Sequence, residues 1–88
     1  MKRHNLEILR KYFELQVAGV KTFEIRKIDR DFKVGDEIKL NEIYQDGLLG
    51  EYKPTGQSCI VVITYIAAGL EGLADGYGVL GTRLKYAA

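Results

Sequence analysis

The chain has 88 residues, 47% of them hydrophobic, and a formal net charge of +1. That length holds one domain, residues 1–88, with a modest core, since so small a chain buries only about 60–65% of its unfolded surface. The single cysteine, Cys59, excludes an internal disulfide, no Cys/His cluster is spaced for a metal, and no cofactor is expected.

No stretch approaches the roughly 20 apolar residues that span a bilayer, so a soluble, cytoplasmic protein without membrane contact is expected. The small net charge hides an asymmetry. Residues 1–33 carry nine Lys/Arg against five Asp/Glu, and residues 34–88 carry four against seven. A basic first third is compatible with phosphate contacts, but it falls short of the excess of a dedicated nucleic-acid binder. A solvated mixed-charge surface explains it equally.

In chain order, His4, Leu6 and Ile8 alternate with Asn5 and Glu7 and predict a short first strand. Leu9, Phe13 and Val17 then recur at a spacing of four, which predicts a helix from Leu9 or Arg10 to Ala18. Tyr12 and Gln16 fall on its flank, and Gly19 ends it. His4, the only histidine, reads as a hydrogen-bonded core or rim residue.

Lys21-Thr22-Phe23-Glu24-Ile25-Arg26-Lys27 reads as a strand. At a period of two, Phe23 and Ile25 point one way, towards the core, and Thr22, Glu24 and Arg26 the other. The polar row carries a hydroxyl and both charges, so it can grip a small polar ligand or a nucleobase. An ordinary half-exposed strand with solvent-facing ion pairs is the competing reading. Lys21 shares the parity of Phe23 and joins the row only if the strand starts after it or bulges beside it.

Asp29-Arg30-Asp31-Phe32 forms a loop, and Val34-Gly35-Asp36 a tight turn in which Asp36 serves as a cap. Glu37 to Tyr44 alternates as a strand, with Glu42 on the apolar parity of Ile38 and Leu40. A carboxylate there is costly unless paired. Either the strand bulges or Glu42 lines a cavity and meets Arg26, Lys21 or a ligand; the cavity is the preferred expectation.

Asp46-Gly47 marks a turn, and Leu48 to Gln57 a mobile connection or ragged hairpin. Ser58 to Ile66 is the longest apolar run and predicts the central strand, with Cys59 buried and inert. Ala67 to Gly76 reads as a loop. Tyr77 to Leu84 is the last strand, where Gly78 and Gly81 allow a bend or a close approach.

The motif Lys21-Thr22-Phe23-Glu24-Ile25-Arg26-Lys27, followed by Asp29-Arg30-Asp31-Phe32-Lys33-Val34-Gly35-Asp36, resembles the ASCH superfamily of PUA-like domains. It is closest to a small bacterial and phage family within it. His4-x-Leu6, Tyr12-Phe13, Thr55-Gly56 and Gly76-Tyr77-Gly78-Val79-Leu80-Gly81 extend the resemblance. Ile28 and Gln57 depart from it, where asparagine and a basic residue are usual. The resemblance implies an α+β fold, a PUA-like small mixed β-barrel of five or six strands with one or two helices. The helix Arg10–Ala18 should pack over one opening, with Phe13, Phe23, Ile25, Leu40, Val62 and Leu80 buried.

The superfamily includes RNA-binding members and a small amidohydrolase that deacetylates acetylcytidine. In that enzyme a lysine and a threonine three residues later are central. Lys21 matches the lysine, but Glu24 stands at the threonine's place, and Thr22 aligns with a different, non-nucleophilic threonine.

The candidate ligand- or RNA-binding residues are therefore Lys21, Thr22, Glu24, Arg26, Arg30 and Glu42. Three functions are open: a binding module for RNA or a nucleotide-like ligand, a hydrolase acting on a modified nucleoside, and a protein-interaction domain. In the hydrolase reading Lys21 is the catalytic base or activator, and Glu24 or Glu42 its carboxylate partner.

Overall fold

A computed structural model describes residues 1–87. It contains β1 (Arg3–Leu9), α1 (Arg10–Val17), β2 (Phe23–Lys27), β3 (Glu37–Gln45), β4 (Tyr52–Ala68) and β5 (Tyr77–Ala87). The strands form one mixed sheet in the order β1-β3-β4-β5-β2, with β1 parallel to β3 and every other pair antiparallel. The fold is α+β, a five-stranded sheet curled into a half-barrel with one helix. The helix touches β1, β3 and β5, strands that are not all neighbours in the sheet, so it lies on the concave side.

The core forms where inward positions of β3, β4 and β5 meet the helix. Ile38, Leu40, Cys59, Val61, Ile63 and Leu80 are essentially inaccessible, and Phe13 of α1 packs against them. Burial of a side chain of this size contributes about 1.5–3 kcal/mol. The Cys59 thiol is pushed up to about 11, mainly by burial and further by Glu24, and so is a poor nucleophile.

Three irregularities bend the sheet. The β3–β4 register slips between Asn41 and Ile43, and the β4–β5 register slips between Ile63 and Tyr65 and again between Ile60 and Val61. Beside the second, β4 and β5 run very close: a Cβ on Gly81 would lie 2.9 Å from Thr64 Oγ1. Any larger residue would push the Thr64 side chain aside, so glycine allows the close approach that the sequence suggested.

Three core expectations need correction. Phe23 and Ile25 are 42% and 50% exposed, and Val62 is half-buried. The alternation of β2 is as read, but its hydrophobic face is the outer one and Glu24, only 4% exposed, faces in. In the run from Cys59 to Ile63 both faces are apolar, so the pattern carried no sign of which face was buried. Val61 and Ile63 take the inside and Val62 the outside.

The Leu48 to Gln57 connection resolves as a ragged hairpin. A short turn is closed by Asp46 N donating to Glu51 O at 3.0 Å, after which β4 begins at Tyr52. No helix is long and apolar enough to cross a membrane among the described residues.

Candidate functional site

The two ends of the sheet, β1 and β2, do not pair with each other. Between them the half-barrel stays open, and the opening is a cleft of about 490 Å³. One wall is Glu7, Ile8 and Leu9 of β1. The other is Phe23, Glu24, Ile25 and Arg26 of β2, with Tyr12, Lys21 and Ile43 completing it.

Local sequence explains how the polar groups arrive there. The helix stops at Val17, and Gly19 takes φ 74°, a left-handed conformation that glycine adopts without steric cost. The turn that follows is tied by Val20 N and Lys21 N, both donating to Leu15 O. It places Lys21 just before β2, off the strand's alternation, so its ammonium can swing inward to Glu24.

Glu24 is the hub. Its Oε2 accepts from Gln16 Nε2 at 2.8 Å and from Lys21 Nζ, and its Oε1 accepts from Arg26 Nε at 3.1 Å and Nη2 at 2.9 Å. Four donors fill the four acceptor positions of the carboxylate, which removes most of the penalty for burying it. Gln16 is fixed in turn: its amide N–H also donates to Phe23 O at 3.0 Å, and its Oε1 accepts from Thr82 Oγ1 at 3.2 Å. Arg26 Nη2 then crosses the seam and donates to Glu7 O at 2.7 Å. One guanidinium thus bridges the two unpaired ends of the sheet. Its Nη1 makes no hydrogen bond among the described residues.

Two aromatic rings flank the ammonium, whose Nζ lies 5.4 Å from the centroid of Tyr12 and 4.8 Å from that of Phe23. These are cation–π distances. The cleft lining therefore holds two cations, the Glu24 carboxylate already committed to them, a second acidic residue in the exposed Glu7, and two partly exposed rings.

Of the residues singled out from sequence, Lys21, Glu24 and Arg26 converge on this cleft. Thr22, Arg30 and Glu42 do not line it. The Thr22 side chain is exposed, and the residue contributes only its carbonyl to the ladder, accepting from Thr82 N at 2.9 Å. Arg30 is exposed and pairs with Asp29 at 3.4 Å. Glu42 sits at the β3 bulge rather than in the cavity: its Oε1 accepts from Thr55 Oγ1 at 2.7 Å, and Arg10 lies 3.8 Å from its Oε2. Gln16 and Thr82 were missed. A glutamine on the flank of a helical stripe carries no signal of its own, and Thr82 lies 66 residues away in sequence.

His4 is buried elsewhere. Its Nε2 donates to Asp36 Oδ2 at 2.8 Å, and its ring packs on Phe32 with centroids 4.7 Å apart. Asp36 also accepts from the main-chain N–H groups of Lys2 and Lys33, each at 3.1 Å. The His4 hydrogen bond, reinforced by those amides, holds the Asp36 carboxyl down to about 2. Among the described residues no group of His, Cys, Asp or Glu is arranged to hold a metal ion.

Residues 3–82 match a family described as a domain of unknown function, DUF3850. The chain belongs to that family. The match covers β1 through Thr82, and with them every member of the Glu24 network. No curated protein matches this DUF3850 chain.

Proposed function

We propose that this DUF3850 domain is a small binding module for RNA or a nucleotide-like ligand, held in the cleft between β1 and β2. The observation that carries the reading is Arg26. Its guanidinium is locked in orientation by Glu24 and Glu7 O and still has Nη1 free at the cleft. A planar donor fixed in this way suits phosphate or the edge of a base. The size agrees, since pockets for small ligands run about 300–1,000 Å³. Tyr12 and Phe23 offer ring faces for a base, and Lys21 adds a second cation. The resemblance to the ASCH superfamily points in the same direction.

The hydrolase reading is less well supported, because Glu24 already accepts four hydrogen bonds and has no acceptor position left for a substrate proton. Titration of a fluorescent single-stranded RNA into the protein tests the binding reading. Binding is expected at low salt, weakening steeply between about 50 and 200 mM, and Arg26→Ala should abolish it. Equal binding by wild type and Arg26→Ala would overturn the reading.

A further inference from the structure

β2 is the last strand of the sheet, and its free edge is in the cleft wall. In an antiparallel pair, alternate residues send both main-chain groups to the partner strand and the residues between them send both away. Two bonds fix the phase here. Thr82 N donates to Thr22 O at 2.9 Å, and Ile28 N donates to Gly76 O at 2.7 Å. Even-numbered residues of β2 therefore face β5, and Phe23, Ile25 and Lys27 turn their N–H and C=O groups to the free edge.

Phe23 O confirms the phase, because it accepts from Gln16 Nε2 and Lys21 Nζ on that side. Ile25 has no such partner: among the described residues nothing bonds its N–H or its C=O. One donor and one acceptor stand side by side on the cleft wall, bounded by the occupied Phe23 carbonyl and by the Arg26 side chain that crosses to Glu7. Within the cleft lining the window is one residue long: the Lys27 main chain is equally unbonded among the described residues, but Lys27 lies beyond the Arg26 bridge and does not line the cleft. An added peptide strand needs a run of edge groups and would have to displace the Arg26 bridge. A single heterocycle needs only this pair.

Building on the nucleotide-binding reading above, we infer that the Ile25 N–H and C=O read the donor–acceptor edge of one nucleobase, while Arg26 Nη1 takes its phosphate. Every common base has such an edge, and its hydrogen bonds fix which way the ring enters. The ligand is thus a purine or pyrimidine nucleotide, either free or as one unit of a single-stranded RNA.

The test uses the four ribonucleoside 5′-monophosphates and a set of single-stranded tetranucleotides, with binding read by amide chemical shifts and titration calorimetry. The best-binding base is then compared with its analogue methylated to remove the edge donor: N3-methyl for uracil, N1-methyl for guanine, N6,N6-dimethyl for adenine, N4,N4-dimethyl for cytosine. The expected results are a large shift of the Ile25 amide and a loss of about tenfold or more on methylation, as for a hydrogen bond left unmade. Ile25→Pro should lose a similar factor. Proline deletes an N–H that makes no ladder bond here, and edge strands tolerate it.

Undiminished binding of the methylated analogue to wild type overturns the inference, whether or not Ile25→Pro folds. Such a result leaves the parent reading standing if Arg26→Ala still abolishes binding. Binding of tetranucleotides alone assigns the site to RNA, and binding of monophosphates alone assigns it to free nucleotides. Failure of every probe sinks both readings.

Discussion

Glu24 and Asp36 are both buried carboxylates, each served by several donors, yet they are built differently. Asp36 is held by two main-chain N–H groups and one imidazole: Lys33 N reaches its Oδ2 across the Val34-Gly35 turn, while Lys2 N and His4 Nε2 reach its Oδ1 and Oδ2 from the start of the chain. Glu24 is held by the ends of three long side chains, two of which carry charge to the wall of an open cleft. Asp36 closes a turn onto the start of β1, while Glu24 aims Lys21 and Arg26. A buried carboxylate whose donors have nothing left over is structural. One whose donors face a cavity with a hydrogen still free organises a site.

The comparison is broken most directly at Glu24. Glu24→Ala leaves Gln16, Lys21 and Arg26 without their common acceptor, and removing one partner of a buried ion pair costs on the order of 3 kcal/mol. Urea denaturation should show that loss, and the cleft should lose its ligand as well, because Arg26 is no longer oriented. Glu24→Ala with wild-type stability would mean that the network contributes nothing to the fold.

Asp36→Asn should show a smaller effect, confined to a pH window. The Asp36 carboxyl is held at about 2 in the folded protein against an ordinary 3.8, so the unfolded chain takes up its proton first as pH falls. Its contribution is present above about pH 4 and is lost as pH drops towards 2. The wild-type advantage over Asp36→Asn in denaturation midpoint should therefore shrink over that range, with nucleotide binding at neutral pH unchanged. Glu37, lowered by Lys85 and then by Arg3, acts with the same sign in both proteins and cancels in the difference. An advantage that stays constant from pH 6 to pH 2 would exclude the carboxylate as its source.

Much of the fold was readable in the sequence because hydrophobic period and turn residues act locally. The limits of β1, α1 and β3, and the close approach at Gly81, follow from Leu9/Phe13/Val17, Ile38/Leu40 and the glycines themselves. The orientation of β2 was not readable. Burying a lone carboxylate is so unfavourable that Phe23 and Ile25 are the natural choice for the inside. What reverses it is a set of donors drawn from α1, the turn after it and β2, steadied by Thr82 of β5, and no local pattern announces that they meet. Lys21, Glu24 and Arg26 were identifiable as a group because they are close in sequence. Glu42 was misplaced because its partners, Thr55 and Arg10, come from other elements.

The smallest stability effect is expected on the outer face of β2. Ile25 is half exposed and its main chain makes no ladder bond, so Ile25→Thr removes little buried area while keeping a β-branched side chain suited to a strand. The change in unfolding free energy should stay within about 0.5 kcal/mol, the range of ordinary surface substitutions. Phe23 is similarly exposed, but its ring lies 4.8 Å from the Lys21 ammonium and lines the cleft. Phe23→Leu should therefore also be nearly silent in denaturation, yet weaken nucleotide binding, since stacking on an aromatic ring contributes about 1–3 kcal/mol per base. The two variants separate the roles that β2 combines, a replaceable outer surface and a cleft wall that depends on its ring. If Phe23→Leu bound as tightly as wild type while Arg26→Ala did not, the base would have to rest on Tyr12 alone. Tyr12 lies on the α1 side of the cleft, and Tyr12→Leu would then carry the whole loss.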